Sequence, residues 1–343
     1  MAIYKHEHNI KCQQSIANIL QLLPSFCKLY VNGREGAISA QTLYIYVSRL
    51  SVFFRYIKSL GIKDISLKYL ACLNIHNFED FAHWLRYNNT EKQLSEKSIN
   101  NYLTAISSLY DYFIRTGDLD INPVRLIERK SITRTRNVIY IDDTDKFLGV
   151  SKSGIGLSDT QLRYFNKLSI RDYAICMVLL RTGIRVSELV GINLSDLDLD
   201  ECSINILRKR DKSDTVYFDD ETKEVLIKYL DERELYLINK KEQALFIVSI
   251  GKYKGTRLSV RSIERLIKKY AISSGIKNAS KITPHRLRAT FAHDMLNATG
   301  DIRLVQEALD HESADTTAIY LNTRAEHLKN NRNIISEHKK EQA

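Results

Sequence analysis

Apolar positions along the first 120 residues recur with a helical period. In CQQSIANILQLLPSFCKLYV (12–31), Ile16, Ile19, Leu20 and Leu23 fall on one face, and Pro24 interrupts the pattern, kinking or restarting the helix. NGREGA (32–37) reads as a turn. Ser39 can cap a long helix over 40–60, whose stripe is Leu43, Tyr46, Val47, Leu50, Phe53, Phe54 and Ile57, with Gly61 as its stop. A third helix is predicted over 76–87. A fourth starts after Ser95, with Ser98 as the alternative cap, and runs to Thr116, where Gly117 stops it and Pro123 begins the exit. The pattern is that of an all-α domain of four helices over residues 1–124.

The stretch RLIERKSITRTRNV (125–138) is basic and has no sustained apolar period, so it reads as an interdomain linker. A second domain, 139–325, opens with IDDTDKFLGV, where Asp142 or Asp143 can cap a helix. Residues 151–168 are polar and read as a loop. Residues 170–181 form an apolar, buried helix that Gly183 breaks, and Ser187 to Val190 begin another. CSINIL (202–207) then alternates as a strand, RKRDKSD is a tight polar turn, and TVYF is the return strand. Helices follow at 220–239 and 259–273. The fold class is therefore mainly α with a small β-sheet, in two domains, followed by a helical-looking tail over 326–343.

Composition narrows the function. No run of 18 apolar residues occurs, and the N-terminal MAIYKHEHNIKCQQS lacks the apolar core of a signal peptide, so a cytoplasmic protein with no membrane partner is expected. The five cysteines (Cys12, Cys27, Cys72, Cys176, Cys202) are scattered, odd in number and without a C-x-x-C pair. They read as free thiols rather than a zinc site or a disulfide framework. The formal charge is +10; residues 1–137 hold 18 Lys+Arg against 11 Asp+Glu, so +7 of it lies in the N-terminal part. A basic surface of this kind suits nucleic-acid phosphates, although a plain helical bundle with a solvated charged face has the same composition.

The chemistry-bearing residues concentrate in TPHRLRATFAHDMLNATGDIRLVQEALDHESADTTAIYLNT (283–323). His285 and Arg288 are three apart and share a helix face. His311 precedes Tyr320 by nine residues across an acidic turn. Two imidazoles, a guanidinium and a phenol suit a site that binds a phosphodiester and attacks it with a tyrosine. Upstream, Arg185 follows a helix-breaking glycine in RTGIRVSEL, where a guanidinium can give a phosphate two parallel hydrogen bonds, and Glu188 stands three residues on. Lys209 lies at the predicted hairpin turn among Arg208, Arg210 and Lys212. Each signal alone has an ordinary structural explanation, such as a surface ion pair or common turn chemistry.

Taken in order, Arg185 with Glu188, Lys209, His285-x-x-Arg288, His311 and Tyr320 resemble the tyrosine recombinase (phage integrase) family. TGIRVSEL resembles its first arginine box, RKRDKSDTV its lysine hairpin, TPHRLRATFA its His-x-x-Arg box and LDHESADTTAIYLNT its histidine-to-tyrosine box. The resemblance covers about residues 12–325, and the length is that of two-domain, Xer-like members. It implies an N-terminal core-binding (SAM-like) domain and a C-terminal catalytic domain that close on double-stranded DNA carrying a specific site. It also implies a homotetramer spanning two such sites and a tail that docks on the neighbouring protomer.

The implied catalytic residues are Arg185, Lys209, His285, Arg288, His311 and Tyr320, with Glu188 orienting them and Lys130, Arg134, Arg136, Arg208, Arg210 and Lys212 as DNA contacts. Bond energy is conserved in such a transesterification, so neither cofactor nor metal is expected. The competing expectations are a type IB topoisomerase, which shares the chemistry, and an inactive DNA-binding relative. Two departures from the family pattern stand out: Ala289 where relatives carry histidine, and Asp310 where glycine is usual. Asp310 could favour a charged His311 or disturb a tight turn.

Overall fold

The computed structural model describes residues 2–87, 94–129, 139–208 and 212–310. The chain divides into two compact units, Ile3–Thr135 and a second that spans Arg136–Ala343.

In the first unit the helices are α1 (Ala2–Leu20), α2 (Phe26–Arg34), α3 (Ala40–Ser59), α4 (Leu67–Cys72), α5 (Ile75–Tyr87) and α6 (Glu96–Arg115). The four expected helices are present. The first begins ten residues earlier than its apolar period suggests, and around Pro24 the chain ends α1 and restarts as α2. NGREGA is only partly a turn, because α2 continues through Gly33 to Arg34. Gly33 faces Tyr112 so closely that a Cβ there would lie 2.2 Å from the ring. The short helix α4, capped by Ser66, had no separate signal in the periodicity. Ser39 caps α3 by accepting from Thr42 N–H at 3.1 Å, and Ser95, rather than Ser98, caps α6 by accepting from Ser98 N–H at 3.2 Å. The core they frame is aromatic. Phe53 meets Phe81 edge-on with centroids 5.2 Å apart, and Phe26 meets both Phe54 and Phe113 in the same manner; such pairs add roughly 0.5–1.5 kcal/mol each beyond their burial.

The second unit is built around α9 (Ser169–Thr182), which follows α7 (Thr144–Ser153) and α8 (Asp159–Phe165). The expected 151–168 loop is therefore largely helical. Every residue from Arg171 to Leu180 is buried. A helix buried on all sides must find partners for its polar residues. Asp172 does so by accepting from Arg171 Nη2 at 2.7 Å, the Tyr270 hydroxyl at 2.9 Å and Lys269 Nζ at 3.0 Å. Next come α10 (Val186–Gly191) and an antiparallel sheet in the order β1 (Leu197–Asp198), β2 (Ser203–Leu207), β3 (Ser213–Tyr217), with Ile204 opposite Val216. The helices α11 (Asp220–Glu234), α12 (Val260–Ser274), α13 (Pro284–Thr299) and α14 (Ile302–Leu309) complete the described part. α11 stops five residues short of the expected 239. None of the described helices is long and apolar enough to cross a membrane.

Candidate active site

The turn after α9 sets the first half of the site. α9 ends because Gly183 takes the left-handed conformation at φ +62°, and its Cα sits against the Phe291 ring, where a Cβ would come within 2.3 Å. Only glycine meets both demands without strain. Two residues later Arg185 is extended and forms the N-cap of α10. Glu188, buried one turn on, reaches back: its Oε2 accepts from the Arg185 N–H at 2.6 Å and its Oε1 from Arg185 Nη1 at 2.8 Å. One carboxylate thus fixes both the backbone and the guanidinium of Arg185, which remains partly exposed. Arg257, which carried no sequence signal, supports the other end of α10. It donates to Val190 O at 2.7 Å, Ile192 O at 3.0 Å and Asn193 Oδ1 at 2.6 Å.

The second half comes from α13. Pro284 occupies its first turn, and His285 and Arg288 lie on one face. Arg288 is only 3% exposed. Its Nη1 donates to Gly183 O at 2.7 Å and its Nη2 to Leu309 O, so one side chain ties the glycine turn to the end of α14. His285 is exposed, yet surrounding protein partly desolvates its ring, and the like charges of Arg286, Arg288 and Arg185 act in the same direction. Its pKa is held below the ordinary 6.5. The imidazole is therefore poised to be neutral at neutral pH, beside both guanidiniums. Ala289 is buried in the apolar seam between α13 and α14 with Ala292, Leu296, Val305 and Leu309, which accounts for a small residue there.

Arg208 corrects an expectation. The sequence expects it among the DNA-facing cations of the hairpin, but its side chain is 1% exposed. It donates from Nε to Asp214 at 2.9 Å, from Nη1 to Glu188 at 3.3 Å and from Nη2 to Ala308 O at 3.1 Å. The strand's own alternation explains this, since Ile204, Ile206 and Arg208 all point to the buried side of β2. That phase was readable in the sequence. Lys212 does face solvent, and its Nζ lies 3.2 Å from Asp310 Oδ1.

Asp310 forms the left-handed C-cap of α14 at φ +47°, ψ +53°. Desolvation opposes its ionisation, but the Lys212 hydrogen bond and the charges of Lys212, Arg208 and Arg185 outweigh it, and its pKa is lowered. The structure therefore brings Arg185, Glu188, Arg208, His285, Arg288 and Asp310 into one cluster. Lys130, Arg134, Arg136, Lys209, Arg210, His311, Tyr320 and the tail lie outside the described residues.

A mainly helical unit thus places two oriented arginines and a neutral-leaning histidine side by side, donors of the kind that a phosphodiester would need. Comparison with known proteins makes the class specific. Residues 155–327 match the phage integrase family and residues 22–132 match the phage integrase SAM-like domain. The tyrosine recombinase XerC of Thermodesulfovibrio yellowstonii is 35% identical over 243 residues, 69% of this chain and 75% of that protein. The tyrosine recombinase XerS of Streptococcus pneumoniae is 30% identical over 351 residues, 92% of this chain and 97% of that one. A crystal structure of the XerH site-specific recombinase bound to a palindromic difH substrate, in its post-cleavage complex, shares the fold. Its TM-score is 0.64 and its identity 22%, over 96% of this chain and 93% of that one. The chain belongs to the phage integrase family of tyrosine recombinases: it is a DNA strand-transferase that carries out site-specific recombination.

Proposed function

We propose that the chain cuts and rejoins double-stranded DNA through a 3′-phosphotyrosyl intermediate formed by Tyr320. The observation that carries this reading is the pair of arginines. Arg185 is held by Glu188 and Arg288 by two backbone carbonyls, so two guanidiniums are preorganised beside His285. Fixed donors of this kind stabilise the charge that builds on non-bridging phosphate oxygens without reorganising at the moment of reaction.

In the forward step the Tyr320 oxygen attacks phosphorus and the bond from phosphorus to the 5′ oxygen breaks. The phenolic proton leaves to His285, whose lowered pKa suits a neutral acceptor. Lys209 protonates the departing 5′ oxygen, and His311 donates a hydrogen bond to the phosphate. In the second step a 5′-hydroxyl of another strand attacks the phosphotyrosine. Its proton returns through the same groups and tyrosine leaves. One phosphodiester replaces another, so no external energy source enters.

Recombination between two sites needs four strand cuts, which supports a homotetramer on two DNA sites that exchanges strands through a Holliday junction. Lys130, Arg134, Arg136, Arg210 and Lys212 are the proposed backbone contacts, and the tail over 326–343 the proposed link to a neighbouring protomer. The correspondence with XerS over nearly the whole of both chains supports an Xer-like role in chromosome dimer resolution; mobile-element integration and excision would use the same parts.

The test pairs two assays on DNA containing the chain's selected binding site. Recombinant product from a two-site plasmid supports the proposal. Relaxation of a supercoiled plasmid with no recombinant product at any protein concentration leaves the tyrosine chemistry in place, contradicts the two-site tetrameric exchange and favours a type IB topoisomerase.

A further inference from the structure

Residues 139–143 run across α13 before they lead into α7, whose first turn Asp143 caps. Two consecutive residues of this strap grip the helix. The Ile141 N–H donates to Thr290 Oγ1 at 2.9 Å, and the Thr290 hydroxyl donates in turn to Arg286 O at 2.9 Å. Beside this bond the Tyr140 ring stacks on His293, with centroids 4.0 Å apart and planes 17° from parallel. Thr290 and Ile141 are both buried, so water offers the Ile141 N–H no replacement partner. Strap and helix belong to the same compact unit.

Thr290 and His293 are three apart and share one face of α13. Two helix positions turn through about 200°, so Thr290 stands on the far side of the helix from Arg288. α13 is therefore held from two sides. On one, Arg288 donates to Gly183 O and Leu309 O. On the other, the strap supplies a hydrogen bond and a ring stack. The apolar seam of Ala289, Ala292 and Leu296 also holds the helix, but apolar burial is non-directional. The strap's two contacts are directional and fix the rotation of α13 about its own axis.

We propose that Tyr140 and Ile141, through Thr290 and His293, are positioning residues that set the rotation of α13 and so hold His285 and Arg288 at the scissile phosphate. The inference rests on the reading of His285 and Arg288 given above. A misplacement of about 1 Å at a reacting group can cost on the order of a hundredfold in rate, so a partial roll of α13 is expected to cost about tenfold.

The experiment compares wild type with Thr290→Val, Thr290→Ser, Tyr140→Ala, Tyr140→Phe and His293→Phe. Three quantities are read: single-turnover adduct formation on a saturating nicked suicide duplex, equilibrium binding to that duplex, and the NMR titration of the His285 ring without DNA. Thr290→Val and Tyr140→Ala should each slow adduct formation by about tenfold with unchanged binding. In both, the His285 pKa should move up towards 6.5, as water reaches the ring and the guanidiniums draw away. Thr290→Ser keeps the hydroxyl, and Tyr140→Phe and His293→Phe keep the stacked ring; these three should retain most of the rate. Tyr140→Ala leaves the buried hydrogen bond in place and carries the test if Thr290→Val fails to fold.

A lower melting temperature with a wild-type rate and an unshifted His285 would make the strap merely structural and overturn the inference. Slowing that disappears at saturating duplex would overturn it too, by tracing the effect to binding. An active wild type beside Tyr140→Ala and Thr290→Val of equal rate overturns the inference alone. A wild type that binds its duplex and forms no adduct overturns the reading of the site, and the inference with it.

Discussion

Arg208→Met removes a guanidinium while keeping an unbranched apolar stem in its place. Three acceptors lose a partner. Truncating one member of a buried ion pair typically costs about 3–5 kcal/mol. Here Glu188 keeps two donors from Arg185, at 2.6 and 2.8 Å, so its share lies below that range. Asp214 is a third exposed and recovers water, adding little. Ala308 O is left without the Arg208 donor at a helix end, a loss of about 1–3 kcal/mol if it stays dry. The expected net cost is about 2–4 kcal/mol, or a fall in melting temperature of roughly 5–15 °C for a unit of this size. The chain's one tryptophan, Trp84, lies in the N-terminal unit. Scanning calorimetry is therefore the assay, read on the transition of the catalytic unit. An unchanged melting temperature, combined with weaker DNA binding and a salt dependence shallower by about one charge, would place Arg208 on DNA and refute the buried assignment.

Other perturbations test the neighbouring geometry. Gly183→Ala combines left-handed strain with a methyl 2.3 Å from the Phe291 ring and should cost about 2–4 kcal/mol in chemical denaturation. Because Gly183 O accepts from Arg288, the cleavage rate should fall even where the protein remains folded. Glu188→Gln keeps the shape but weakens the hold on Arg185, so cleavage should fall about tenfold or more with little change in DNA affinity, measured by single-turnover kinetics beside equilibrium binding. His285, followed by NMR titration of its ring, should titrate below 6.5 in the DNA-free protein. The unfolded chain then binds more protons between the folded value and 6.5, so this residue's contribution to stability is complete above 6.5 and is lost as pH falls through the folded value. Bound DNA phosphate should raise that pKa, and an unshifted ring in both states would contradict its place beside the arginines.

Much of the fold was legible because its strongest signals are local. The stripe of α3, the serine caps of α3 and α6, and the Gly183 break after an apolar helix all depend on residues within a few turns of one another. The short helices were less so. α8 follows Ser158, whose N–H donates to Gln161 Oε1 at 2.9 Å, a capping-box spacing present in the sequence but masked by a polar composition with no residue of α8 buried. In the site, Arg185, Glu188, His285 and Arg288 were identifiable by motif. What a motif does not carry is the partner: Arg288 meets a carbonyl 105 residues upstream, and Lys212 meets an aspartate 98 residues away. For Asp310 the sequence offered two consequences, a charge beside His311 or a disturbed turn. The structure shows the turn formed, with the carboxylate engaged by the hairpin.

A covalent tyrosine intermediate is measured most directly as the adduct itself. Wild-type protein incubated with a nicked suicide duplex carrying its binding site should become linked to the 3′ phosphate, and peptide mapping should place the nucleotide on Tyr320. Tyr320→Phe should bind the duplex with the same affinity and form no adduct. An adduct that persists in Tyr320→Phe, or one mapped to another residue, would show that Tyr320 is not the nucleophile.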